Sequence, residues 1–339
     1  VDNEWKIPHF EKMLYDQAQM ISLFSMGYKV FGDQSYKDIV SNTILFLSNK
    51  MSSTDGLYYA AMDADTDGEE GKYYSYEMDE LKMISENTDF KLFLSYYNID
   101  VENPWEKNKF LLLPNKFKHE KQWIDSNNIS KKELNGLINI WEKNINKLKE
   151  DRTKPRIDDK IIVSWNSLAI IGLIDAFDAF KNENYLSIAK SMFKELKESS
   201  FRKGQLIHTF KENQFQEGVL EDYAYLSKAS MRLFQATGNI SYFDFSKKII
   251  DNALELFNDE QSDLLKYSNN EELFTKVISI DDGVTPSPNS IIAEQLFSIG
   301  HVIFDDEYLD LSDKMVSAVQ KIIDGNINSY SVWANNILN

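Results

Sequence analysis

The chain has 339 residues, 54 of them acidic and 37 basic, for a net charge of −17. That surface repels phosphate backbones and argues against nucleic acid as a partner. Zero Cys excludes disulfides, thiolate metal sites and thiol catalysis within these residues, and 13 Gly with 6 Pro are few for a protein built of tight sheet turns.

Helical spacing of Phe10, Met13, Leu14, Met20, Ile21 and Phe24 predicts a helix over 10–31, stopped by Gly32. A second follows over 35–51. Further helices are predicted over 78–97 and 131–149, around a strand-like Phe110-Leu111-Leu112-Leu113. Three more pairs complete the pattern: 160–180 with 185–199, 220–237 with 242–257, and 287–304 with 308–323. The apolar run 161–180 contains Asn166, Asp175 and Asp178 and reads as a buried helix rather than a membrane span. No membrane partner is expected, and the cytoplasm is the default location.

Four phrases mark the turns within pairs: Asp33-Gln34-Ser35-Tyr36, Asn182-Glu183-Asn184-Tyr185, Asn239-Ile240-Ser241-Tyr242 and Asp305-Asp306-Glu307-Tyr308. Asp and Asn are good N-caps, so each phrase reads as one helix ending and the next beginning. The first helix of each pair is the more apolar and the second the more amphipathic. The expectation is an all-α toroid of inner and outer helices, with a plain solenoid as the alternative. Links from outer to inner helices are long and strand-like. Residues 56–61 are expected to pair with 72–76, and 205–210 and 264–267 supply the other two.

Inner helices in such a ring start at one mouth, so their N-terminal residues are the candidate site. These are Trp5, His9, Glu11, Lys12, Tyr15 and Asp16 on the first, then Arg156, Asp158, Asp159, Lys160, Trp165 and Asn166 on the second. Glu221, Asp222 and Tyr223 follow on the third, and Ser287 and Asn289 on the fourth. The long links add Asp63, Asp65, Glu70, Tyr74 and His208. Carboxylates and amides bond sugar hydroxyls, and aromatic faces stack on their C–H faces. The same acids are also favoured in a first helical turn by the helix dipole. Asp63-Ala64-Asp65-Thr66-Asp67-Gly68 opens like a calcium loop, but Tyr74 stands where the bidentate Glu belongs. No metal and no cofactor are expected.

Trp5–Ala18 (WKIPHFEKMLYDQA), with YYAAMDADTDGEEG at 58–71, PRIDDKIIVSWNS at 155–167, LEDYAY at 220–225 and DDGVTPSPNS at 281–290, resembles the thioredoxin-domain-containing family of spermatogenesis-associated protein 20 and bacterial YyaL. The resemblance implies an (α/α)6 barrel like those of N-acylglucosamine 2-epimerases and six-hairpin glycosidases, here incomplete. It also implies one barrel domain over 1–339, in a longer protein with an upstream thioredoxin-like domain. Ser167 departs from the family, which usually has Gly there. Missing closing helices should leave an apolar inner-helix face exposed along one side.

Two functions are weighed. In the first, the barrel binds or processes a sugar or glycan. Epimerisation would use His9 and His208 as proton-transfer groups. Glycoside hydrolysis would use two of Asp63, Asp65, Asp159, Glu221 and Asp222, among which the sequence does not choose. In the second, the barrel is a non-enzymatic module binding a partner or glycan alongside the thioredoxin-like domain. A carboxyl with a raised pKa in the cleft separates the two, because only the enzyme needs one.

Overall fold

Each of the four repeated phrases forms half of a turn between two helices in the computed structural model, which describes residues 3, 7–114, 120–211, 214–269, 277–323 and 327–338. Asp33 accepts from the Ser35 N–H at 2.9 Å, Asn182 from Asn184 at 3.1 Å, Asn239 from Ser241 at 3.1 Å and Asp305 from Glu307 at 3.0 Å. The residue just before each cap is left-handed: Gly32 at φ 67°, Lys181 at 53°, Gly238 at 69° and Phe304 at 57°. Its N–H bonds back to the helix, on Tyr28, Phe177, Phe234 and Gly300 respectively. One residue therefore stops a helix and the next one starts another.

The helices in chain order are α1 Leu14–Phe31, α2 Gln34–Lys50, α3 Met78–Ile84, α4 Phe90–Tyr96, α5 Glu120–Asn127, α6 Lys131–Glu150, α7 Val163–Phe180, α8 Glu183–Ser199, α9 Leu220–Thr237, α10 Ile240–Phe257, α11 Pro288–Ile303, α12 Asp306–Ile323 and α13 Ser331–Leu338. The residues fall into two compact units. One comprises Met13–Ala61 and Asp159–Asn339, and the other Met62–Asp158 with the segment ending at Lys12.

In the first unit the hairpins stand side by side. α1 packs on α7, α7 on α9 and α9 on α11, and α2, α8, α10 and α12 back them in turn. α7 is the hub, with twelve of its 18 residues buried. It is also the one described helix long and apolar enough to cross a membrane, and most of it lies inside the protein. Gly172 allows the closest approach, since a Cβ there would meet the Ala18 carbonyl oxygen at 2.7 Å. α9 departs from the expected pattern, being less apolar than its outer partner α10. Its buried Ser227 and Ser246 of α10 bond each other's carbonyls at 3.1 and 2.9 Å, so hydroxyls serve where larger apolar groups would hold the helices apart. α1 buries Leu14, Ala18, Ile21 and Ser25, while Met20, Leu23, Met26, Val30 and Phe31 form an exposed apolar row.

The second unit packs Tyr76, Phe93, Tyr96, Tyr97, Trp123 and Trp141 into one aromatic core. Both indole N–H groups are satisfied, Trp123 by Ser95 and Trp141 by Thr88, each at 2.9 Å. The helix expected over 78–97 is two helices here. Asn87 turns left-handed at φ 65°, and Asp89 caps the second helix by accepting from Lys91 and Leu92. The first predicted helix likewise starts at Leu14 rather than Phe10, because Lys12–Met13 is extended. The strand pairing differs too. Ser75–Tyr76 pairs with Phe110–Leu111, and Tyr58 bridges Ser52. Residues 264–267 form no strand.

Phe304 carries a bulky side chain at positive φ while 92% exposed, so it has the cost of the left-handed turn with little packing in return. Phe304→Gly should raise stability by about 0.5–1 kcal/mol in urea denaturation. A loss of stability would mean that the ring packs in solution.

Candidate functional site

A buried link must have its backbone N–H and C=O groups bonded. Here the side chains at inner-helix N-termini do that. Asn166, fully buried on α7, accepts from Tyr58 N at 2.8 Å and donates to the carbonyls of Tyr58 and Ile162, both at 3.0 Å. Asn289, fully buried on α11, treats Leu265 the same way at 2.8 and 3.0 Å and adds the Ser279 carbonyl at 2.9 Å. Ser287 bonds Ser279 O at 3.0 Å and accepts from Ser290 N at 3.4 Å, and the Tyr223 hydroxyl accepts from Leu206 N at 3.2 Å. All four hold the chain.

The third inner helix combines such a clamp with a titratable cluster. The strand Gln205–Lys211 pairs with Gln214–Glu217 and Ile161–Ile162, which brings His208 to the start of α9. His208 Nδ1 lies 2.9 and 3.1 Å from the two oxygens of Asp222, which is fully buried. The same carboxylate accepts from Ser164 N at 3.1 Å and Val219 N at 2.9 Å. Glu221 stands 4.0 Å from His208 Nδ1, and its Oε1 accepts from the Ser164 hydroxyl at 3.0 Å. Tyr267 lies close enough to Glu221 to act on its acidity.

Charge follows this geometry. Burial alone would lower the His208 pKa, but the bond to Asp222, its charge and that of Glu221 outweigh burial, so the value rises above 6.5. Lys160 is near enough to oppose that rise. Burial raises Glu221 above its ordinary 4.5, the Asp222 charge adds to the effect, and the contacts to His208, Ser164 and Tyr267 oppose it. Ligand atoms of His208, Glu221 and Asp222 lie within 4.8 Å of one another, a spacing that suits a metal ion. Against that use, both oxygens of Asp222 already accept backbone N–H groups.

Glu221 opens a face of α9 that continues through Tyr225, Lys228 and Arg232, and these three line a cavity of about 940 Å³. Leu168, Ile171 and Asp175 line it from α7, and Gln19 and Gln295 from α1 and α11. Arg232 bonds Asp175 and Asp178 at 2.7 and 3.0 Å, and Lys228 bonds Glu294 at 2.7 Å. The volume lies within the range of small-molecule sites.

Other sequence-predicted residues are placed as follows. Tyr15 and Trp165 meet edge to face at 4.9 Å between centroids, both half-buried, and Asp16 beside them lines the cavity. Asp159 and Lys160 are exposed. In the other unit, Asp63 pairs with Arg156 at 3.3 Å, and Asp65 and Glu70 are exposed in the hairpin of Asp65–Thr66 with Glu69–Glu70. Asp67 of the calcium-like loop bonds Lys72 at 3.1 Å. His9 is exposed, Glu11 and Asp158 are half-buried, and Lys12 lies over the Tyr74 ring. Trp5 lies outside the described residues. Sequence reasoning missed Ser164 and Tyr267 as partners of Glu221. Ser164 had a signal, lying inside the 155–167 motif, whereas Tyr267 stood only in an expected strand.

The class follows from this arrangement together with its likeness to solved structures, which at this identity shows the fold alone. The fold is that of α/α barrels. Over 95% of the chain it matches 64% of cellobiose 2-epimerase from Bacillus thermoamylovorans, with TM-score 0.58 and 12% identity. A sugar epimerase from a ruminal bacterium gives 0.55 at 12%, covering 93% and 62% of the two chains. The family 76 α-mannanase of Bacteroides thetaiotaomicron gives 0.52 at 12%, covering 91% and 61%.

By sequence the chain is a relative of spermatogenesis-associated protein 20. It is 25% identical to the Mus musculus protein over 345 residues, 91% of this chain and 44% of that one. A Caenorhabditis elegans protein is 27% identical over 356 residues, 93% and 47%. The chain thus spans less than half the length of these relatives. No family model matches it.

Two measurements test these assignments. Asn166→Ala strands the Tyr58 N–H and two carbonyls in the core, and should cost about 3 kcal/mol in urea denaturation. A cost below about 1 kcal/mol would mean that the link does not depend on the clamp. Because the His208 pKa is raised on folding, its pairing stabilises fully below 6.5 and fades as pH climbs through the folded value. The stability gap between wild type and His208→Gln should therefore narrow as pH climbs above about 6.5. A constant gap would remove the imidazolium from the pair.

Proposed function

We propose that the helical barrel binds a sugar and moves a proton on it, in the manner of an epimerase or isomerase, with His208 as the proton-transfer group. The observation that carries this reading is the His208–Asp222 pair set against Glu221. With Nδ1 held by a buried carboxylate, the imidazole is oriented and its Nε2 is the nitrogen left to exchange a proton. In an open-chain sugar the carbon beside the carbonyl is the acidic one. His208 takes its proton while Glu221, whose carboxyl is made easier to protonate by burial, bonds the oxygen on which charge gathers. Return of that proton from His208 to the same carbon, after the enediolate has turned its other face to the imidazole, gives the epimer.

The same geometry supports hydrolysis less well. A glycosidase needs two reactive carboxyls, and Asp222 is fully buried with four hydrogen-bonding contacts. The raised pKa of Glu221 favours an enzyme over a module that only binds.

Incubation of the protein in D₂O with glucose, mannose and cellobiose, followed by NMR, tests the reading. Deuterium should enter at the carbon beside the carbonyl, with His208→Gln and Glu221→Gln each slowing the exchange roughly 10²–10⁴-fold. Sugar binding without exchange would transfer the case to the non-enzymatic module.

A further inference from the structure

The second unit holds a cavity of about 440 Å³ that proton transfer at His208 does not use. Tyr74, Tyr97, Leu112 and Ile138 form its walls, and two lysines face it from different segments, Lys12 and Lys149. Lys12 Nζ sits 3.5 Å from the centre of the Tyr74 ring and donates to the Phe10 carbonyl at 2.5 Å. Lys149 Nζ lies 5.5 Å from the same ring and 5.4 Å from that of Tyr73. Both lysines are half-buried, and among the described residues neither forms an ion pair with a carboxylate. Glu142 at the rim is exposed.

Two ammonium groups beside one phenol ring, with no carboxylate partner among the described residues, are costly in an apolar wall. The strain is visible in their acidity. Burial and then the charge of Lys149 bring Lys12 down to about 8, and burial and then Arg152 lower Lys149. Such an arrangement is unusual in a chain of net charge −17, where acids are plentiful. An anion entering the cavity would neutralise both lysines at once. Apart from the exposed His9 and Glu142, the walls offer chiefly ring faces and aliphatic carbons, so the rest of the ligand is flat and apolar.

We propose that this cavity is a second ligand site, for a small carboxylate carried on an aromatic ring, with the charge held by Lys12 and Lys149 and the ring lying among the tyrosines. The site is in a different unit from His208, so its test is independent of sugar chemistry. Calorimetric titration of the full chain with 2-naphthoate, and with neutral 2-naphthamide as isostere, provides that test. Naphthoate should bind at least about tenfold more tightly than the amide. Lys12→Met and Lys149→Met should each remove that preference, while Lys149→Arg keeps it; urea midpoints confirm that the variants are folded. Equal affinity for the two probes, no binding at millimolar naphthoate, or naphthoate binding indifferent to both Met variants would overturn the site. Tighter lysine-dependent binding of glucose 6-phosphate would overturn the ligand class.

Discussion

The structure depends on one constraint, that chain buried at the start of an inner helix must have its peptide groups bonded. The short strands of the helical unit supply only some of those bonds, and side chains supply others. Asn166 presents an amide to Tyr58 as a neighbouring strand would, and Asn289 repeats the device on Leu265. Asp222 is the third member, accepting from Ser164 and Val219. It differs in carrying a charge, and that charge has drawn in an imidazole. The proposed chemistry is therefore built on a structural anchor: the carboxylate that fixes the start of α9 also fixes the tautomer of His208. Substituting Asp222 would disturb both roles together, which is why Glu221 and His208 separate chemistry from folding more cleanly.

Much of the helical architecture was legible because its signals are local. An N-cap and the hydrophobic stripe after it lie within a few residues, and all four turns were marked by Asp or Asn. The left-handed residue before each cap was half visible: Gly32 and Gly238 announce it, whereas Lys181 and Phe304 give no sign. The partners of the links were not legible, since register between segments far apart in sequence is set by tertiary contact. Strand-like 56–61 and 72–76 have matching composition and yet bond elsewhere. The break between α3 and α4 was missed because Asn87 and Asp89 interrupt a strong apolar pattern without a Gly or Pro.

The candidate site was legible in composition rather than in role. Asn, Ser and Tyr at a helix N-terminus read equally well as sugar ligands and as clamps, and burial is what separates the two. Asn166 and Asn289 are completely enclosed, while Glu221 and His208 keep a partly open side. The sequence offered His208 as a candidate in a long link without a partner for it. What distinguishes it is Asp222, fourteen positions away, and only the pairing of Gln205–Lys211 with its neighbours brings the two together.

The close fit of α1 against α7 at Gly172 has a consequence in time. The two helices are adjacent in space, yet the whole stretch Met62–Asp158 is made between them. At ordinary translation rates α1 waits on the order of ten seconds for its partner. Throughout that interval Leu14, Ala18 and Ile21, later enclosed, face water or a chaperone beside the row that stays exposed. The first hairpin can form at once from its own cap and stripe, but the core it belongs to can close only after the other unit has emerged.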